Sequence, residues 1–117
     1  MPAPSVADLI AASAPIAADI ERRAGQCEAE RRIPEDTIAQ FKAAHLHKAL
    51  LPGRYGGFEG SFETILGVAM HWGRVCPSTA WSCGLYMAHN WLGALFPQQC
   101  QDDVWGENPD ALISGSY

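Results

Sequence analysis

Ser78, Ser82, Tyr86 and His89 follow one another at intervals of four, four and three residues. At about 100° per residue in a helix, this places three hydroxyls and an imidazole on one narrow stripe. Trp81, Leu85, Ala88 and Leu92 form a neighbouring apolar stripe. Such a polar stripe can hydrogen-bond a ligand, with His89 as the group suited to hold or move a proton near neutral pH. The plainer alternative is structural: a lone buried histidine meets a backbone carbonyl, and a helical serine bonds back to its own turn. A stripe facing the packed core needs several polar partners there, which is costly to arrange; one facing a cleft meets ligand or water. His89 and Asn90 lie deep inside Cys76–Phe96, the most apolar and aromatic-rich stretch of the chain, so His89 is the residue to explain.

The other chemistry-bearing residues are less suggestive. Cys27, Cys76, Cys83 and Cys100 form no CxxC pair and no zinc-ligand spacing, and are expected as buried free thiols. His45 and His47 stand two apart, share no helical face and are expected as loop residues. Leu50–Gly60 carries four glycines and a proline, which predicts a loop with several positive-φ positions. It lacks both the P-loop pattern and a GxGxxG turn, so a structural loop is expected rather than a phosphate cradle.

The elements that position these residues are helical. A short helix is expected over residues 5–13 with Ser5 as N-cap, then a restart at Pro15 and a second helix from Ile16 to about Arg32. Pro34 is expected at the first helical position of a third helix, with Glu35 and Asp36 in its first turn. Ser61 is expected to cap a fourth helix ending near Cys76, and Pro77 to open the fifth. Pro97 ends that one and begins a sixth, Gln98 to Trp105. Residues 111–117 read as the first strand of a sheet, although a lone strand has nothing to pair with in a helical chain.

Composition narrows the function further. The 117 residues are 48% hydrophobic and 18% charged, with a formal net charge of −5, which suits one globular domain. Scattered basic residues and a net negative charge argue against nucleic-acid binding. The Ala-rich N-terminal stretch contains Asp8, Pro15 and Asp19 and lacks a basic leader, unlike a signal peptide. Thr79–Phe96 is interrupted by Ser82, His89 and Asn90 and has no orienting basic flank, so a core helix is expected rather than a membrane span. A cytoplasmic protein is expected.

Five segments in order carry a resemblance: RRIPED (31–36), LLPGRYGG (50–57), CPSTAW (76–81), AHN (88–90) and FPQQCQDDVWGENPDALISGS (96–116). Together they resemble the N-terminal helical domain of flavin-dependent monooxygenases built on the acyl-CoA dehydrogenase fold. The nearest group is the oxygenase components of two-component aromatic hydroxylases, such as the 4-hydroxyphenylacetate 3-hydroxylase family. The P-x-x-YGG loop marks the superfamily. PSTAW, with a histidine eight residues beyond its tryptophan, marks the hydroxylase branch.

The resemblance implies an all-α, up-and-down helical domain over residues 1–110, with 111–117 opening a middle β-barrel domain that a C-terminal helical bundle would follow. It implies a homo-oligomer, reduced FMN or FAD from a separate flavin reductase, a C4a-hydroperoxyflavin and a small aromatic, phenolic substrate. Most flavin contacts would come from the other domains, so the 117 residues alone are expected to be inactive. His89 would be the catalytic residue, bonding the phenol oxygen, and Trp81 would wall the substrate pocket. Tyr86 and Ser82 join them as substrate-binding candidates from the stripe alone. Two alternatives stand beside this: an acyl-CoA dehydrogenase domain with the same fold, and a non-catalytic helical oligomerisation module that covers its apolar faces by self-association.

Overall fold

The computed structural model describes residues 2–115 and contains six α-helices. These are α1 (Val6–Ser13), α2 (Ile16–Glu30), α3 (Glu35–Ala43), α4 (Glu63–Gly73), α5 (Pro77–Gly93) and α6 (Gln98–Trp105). Two short 3-10 turns, Leu46–Lys48 and Gly53–Tyr55, interrupt the long connection between α3 and α4. No strand occurs among the described residues.

Local chemistry sets the helix ends. Ser5 and Asp8 form a reciprocal capping box at α1, which satisfies two backbone donors that the first turn leaves over. Those bonds also hold the Asp8 carboxyl below its ordinary value. α2 stops at Arg31, whose left-handed φ of 55° turns the chain. Pro34 stands one position before α3, at its cap with φ −55° and ψ 142°, rather than inside the first turn as expected. Pro77 is the first residue of α5, where its missing N–H costs nothing. The N-cap of α4 is Phe62, without a side-chain cap bond, and not Ser61 as expected; Ser61 stands one position earlier and accepts from Glu63 N–H at 3.1 Å.

α4 and α5 form an antiparallel pair. Gly73 faces Ala80, Ile65 faces Gly84, and Phe62 stacks edge-on to Trp91 with ring centroids 5.0 Å apart. α1 lies against α4 because Gly67 leaves room for the Ile10 side chain; a Cβ there would overlap it. The core collects between these helices and α2–α3 around Trp72, Phe41, Ile20, Leu46 and Met87. Trp72 meets Phe41 edge-on at 6.2 Å and donates its indole N–H to the Ser13 carbonyl at 2.8 Å, which joins α4 to the end of α1.

The glycine loop is built differently from the expectation. Among its glycines only Gly56 has a positive φ, 84°, and Glu59 adopts 47°. Gly57 and Gly60 are required for close approach instead: a Cβ on either would press into the carbonyls of Leu51 and Ala49. Backbone bonds from Phe58 to Lys48 (2.9 Å) and Gly60 to Ala49 (2.7 Å) lock the loop against the first 3-10 turn.

Residues 111–115, where a strand is expected, take no regular structure, since the described chain holds no second strand to pair with them. They lie over the helices, with Leu112 against the core and Ile113 against Gly93; residues 116–117 lie outside the described residues. No helix among those described is long and apolar enough to cross a membrane.

Candidate functional site

α5 carries all four residues expected at a site, but the structure sends them to different neighbours. Ser82, with Ser78, borders a shallow hollow beside Cys27, Arg31 and Ile33 at the end of α2. Tyr86 packs inward against Phe41, ring centroids 6.5 Å apart. Trp81 is 71% exposed on the apolar stripe, which opens outward into a groove of about 380 Å³ between α4 and α5. Ile65, Ala69, Leu85 and Ala88 line that groove beside it. The polar stripe therefore faces no single cleft, and the apolar stripe is the open one.

His89 is 7% exposed, and its Nδ1 lies 2.7 Å from the Ile113 carbonyl oxygen. A carbonyl only accepts, so Nδ1 carries a proton and donates. This is the backbone partner that a buried histidine calls for. The same imidazole also borders an apolar cavity of about 260 Å³ between α5, α6 and residues 111–115. Leu92, Phe96, Val104, Trp105 and Ile113 supply much of its wall. α6 can close on α5 because Gly93 has no side chain; a Cβ there would stand 2.8 Å from the Trp105 ring. Gln101 then ties the two helices by donating to the carbonyls of Ala94 (3.1 Å) and Phe96 (2.8 Å).

His47 stands beside the site, joined to it through Asn90 and Asp110. It is expected as a loop residue, yet it is buried in the first 3-10 turn, with Nε2 2.7 Å from Asp110 Oδ1. Burial pushes its imidazole below the ordinary histidine value, against the opposing pull of Asp110. The hydrogen bond from His47 in turn holds the Asp110 carboxyl low. Asn90, next to His89, donates to the His47 carbonyl at 2.7 Å. The apolar residues flanking His47, Leu46 and Ala49 to Leu51, were the available sign that it is buried.

The described residues hold no group of three or more side chains able to bind a metal ion. No lysine or arginine lines the α4/α5 groove or the His89 cavity. Cys27, Cys76 and Cys83 are buried free thiols as expected, whereas Cys100 is exposed.

The family model for the acyl-CoA dehydrogenase N-terminal domain matches residues 9–100. The chain is 42% identical over 94 residues to the FADH(2)-dependent resorcinol hydroxylase oxygenase component of Rhizobium sp., covering 80% of this chain and 23% of that protein. It is 35% identical to the flavin-dependent monooxygenase oxygenase subunit HsaA of Rhodococcus jostii, covering 84% and 26%. The p-hydroxyphenylacetate 3-hydroxylase oxygenase component of Acinetobacter baumannii is also 35% identical, over 83% and 23%. Among solved structures, the HsaA monooxygenase from M. tuberculosis superposes with a TM-score of 0.91 at 31% identity, over 97% of this chain and 31% of that one. XiaF from Streptomyces sp., in complex with FADH2 and glycerol, gives 0.83 at 28% identity, over 92% and 27%. The chain thus spans about a quarter of the length of these curated relatives.

Proposed function

Since the chain belongs to the acyl-CoA dehydrogenase N-terminal domain family, we propose that it is the substrate-side helical domain of a flavin-dependent monooxygenase that hydroxylates a small phenolic compound. The observation that carries this is His89, an imidazole set in the wall of a largely apolar cavity whose other polar neighbour, Gln101, is bonded to the Ala94 and Phe96 carbonyls. Apolar walls suit an aromatic ring, and one polar group suits its hydroxyl. Two of the relatives are named for phenols, resorcinol and p-hydroxyphenylacetate, and a third, from Pseudomonas putida, for the aromatic indole-3-acetate. An imidazole in the cavity wall is suited to hydrogen-bond the phenol oxygen and so raise the electron density of the ring. Trp81, on the neighbouring groove, would wall off water, whereas Tyr86, turned to Phe41, and Ser82, on the hollow at the end of α2, have no part in this reading.

The residues present do not fit a whole flavin. The α4/α5 groove offers a flat apolar wall, but among the described residues no lysine or arginine lines either hollow to meet a phosphate. Reduced FMN or FAD, supplied by a separate reductase, would be held mainly by a β-domain continuing from residues 111–117 and by a helical bundle. Exposed Leu66, Met70, Trp81 and Leu95 would be covered by those domains and by a homo-oligomeric assembly. Three buried free thiols suit the reducing cytoplasm. The 117 residues alone would not turn over.

The test is made in the complete enzyme, supplied with reductase and a phenol. His89→Ala should lower hydroxylated product per flavin oxidised while flavin oxidation continues. An unchanged ratio removes His89 from the chemistry. Flavin bleaching by an acyl-CoA thioester, with no phenol turnover, replaces the reading with that of a dehydrogenase.

A further inference from the structure

His89 is held by a closed circuit of groups that begins and ends on α5. Asn90 Nδ2 donates to the backbone carbonyl of His47 at 2.7 Å. His47 Nε2 donates to Asp110 Oδ1 at 2.7 Å, since a carboxylate can only accept. Asp110 sits in a tight turn, its own N–H bonded to Asn108 Oδ1 (3.1 Å) and the next N–H, of Ala111, to the Asn108 carbonyl (3.1 Å). Three residues after Asp110, the Ile113 carbonyl reaches His89 Nδ1.

We propose that His47 and Asp110 are positioning residues for His89: their hydrogen bond anchors the turn that delivers the Ile113 carbonyl, and that carbonyl fixes the tautomer of the His89 ring. Two observations carry this. Residues 111–115 belong to no helix or strand, so the turn before them is a principal restraint on where Ile113 lies. His47 cannot yield easily either, because it is 2% exposed and its own carbonyl is tied to the helix that carries His89. The tautomer of an imidazole follows the partners of its nitrogens, so the circuit bears on which His89 nitrogen carries the proton. The catalytic consequence rests on the function proposed above; the control of the tautomer does not.

The experiment uses the 117-residue chain and long-range proton–nitrogen spectra of its four histidine rings. Asp110 is 54% exposed, so replacing it leaves the core intact. In the wild type, His89 Nδ1 should read as the protonated nitrogen. Asp110→Ala should move His89 toward mixed tautomers and speed amide exchange at Ala111, whose N–H is bonded to Asn108, at least roughly tenfold, while α4 and α5 stay protected. Asp110→Asn keeps an acceptor oxygen and should restore the wild-type spectrum; Asp103→Asn, at an exposed position of α6, should change nothing at His89. A His89 signature in Asp110→Ala that matches wild type overturns the proposal, as does an equal change in Asp103→Asn. In the complete enzyme, Asp110→Ala should lower product per flavin oxidised and Asp110→Asn should recover it. A shifted tautomer with an unchanged product ratio upholds the circuit and counts instead against a catalytic His89.

Discussion

Asn90 donates through Nδ2 to the backbone carbonyl of His47 over 2.7 Å, joining α5 to a 3-10 turn 43 positions earlier in the chain. Both groups are buried, so neither can turn to water if the other is removed. Asn90→Leu, close in size, should leave that carbonyl unpaired and destabilise the fold by about 1–3 kcal/mol. Urea unfolding checks this: the midpoint should fall with the slope unchanged. A wild-type midpoint would mean that the bond adds nothing.

Acid should weaken the same corner. His47 is held below its unfolded value of 6.5, first by burial and then by the nearby charges of Lys48 and Lys42, with the Asp110 bond opposing. Asp110 is held below its unfolded value of 3.8, chiefly by the bond from His47. Each therefore binds fewer protons folded than unfolded, so each contributes stability that disappears on acidification. The His47 contribution is whole above its unfolded value and is lost as pH falls through 6.5 towards the lower folded value. The Asp110 contribution follows below 3.8. Urea midpoints measured from about pH 8 down to about pH 5 should decline; a rise over that interval would sink the assignment.

Two glycines should respond in opposite directions. Gly57→Ala drives a methyl into the Leu51 backbone and should cost about 1–3 kcal/mol or more. Gly25→Ala, in the middle of α2 with nothing within 4 Å of the new Cβ, should stabilise by about 0.5–1 kcal/mol. Thermal melts of the two variants beside wild type decide both; equal losses would deny the close approach at Gly57.

Thiol accessibility gives a third readout of the fold. Cys100 is exposed, while Cys27, Cys76 and Cys83 are buried. Burial also pushes the Cys83 thiol up to about 12, so it carries almost no thiolate. An aromatic disulfide reagent should titrate one thiol quickly in the native chain and all four after denaturation. Rapid reaction at Cys83 would contradict its placement.

The helices were legible because their signals are local. Ser5, Pro15, Pro34, Pro77 and Pro97 each stand at or beside a helix start, and α6 spans the residues expected of it. The site was legible only in part. Residue spacing sorts α5 into stripes but does not say which neighbour each stripe will meet. That is why Trp81 ends up in an open groove while Tyr86 turns inward to Phe41. His47 escaped because its partner, Asp110, lies 63 positions away, and nothing within a few residues announces it. The glycine loop misled for a related reason: glycine at 57 and 60 answers to the backbone packed against it, which the local sequence does not name.

Three residues join α4 to α5, whereas the His47–Asp110 bond closes a span of 63. Short closures cost less chain entropy, so the helix pair is expected to assemble early and the bond late. The order of assembly then has a direction: the scaffold of His89 forms first, and its ring is set only when residues 110–113 dock against it. A destabilising change at Asp110 should accordingly accelerate unfolding and leave the refolding rate nearly untouched.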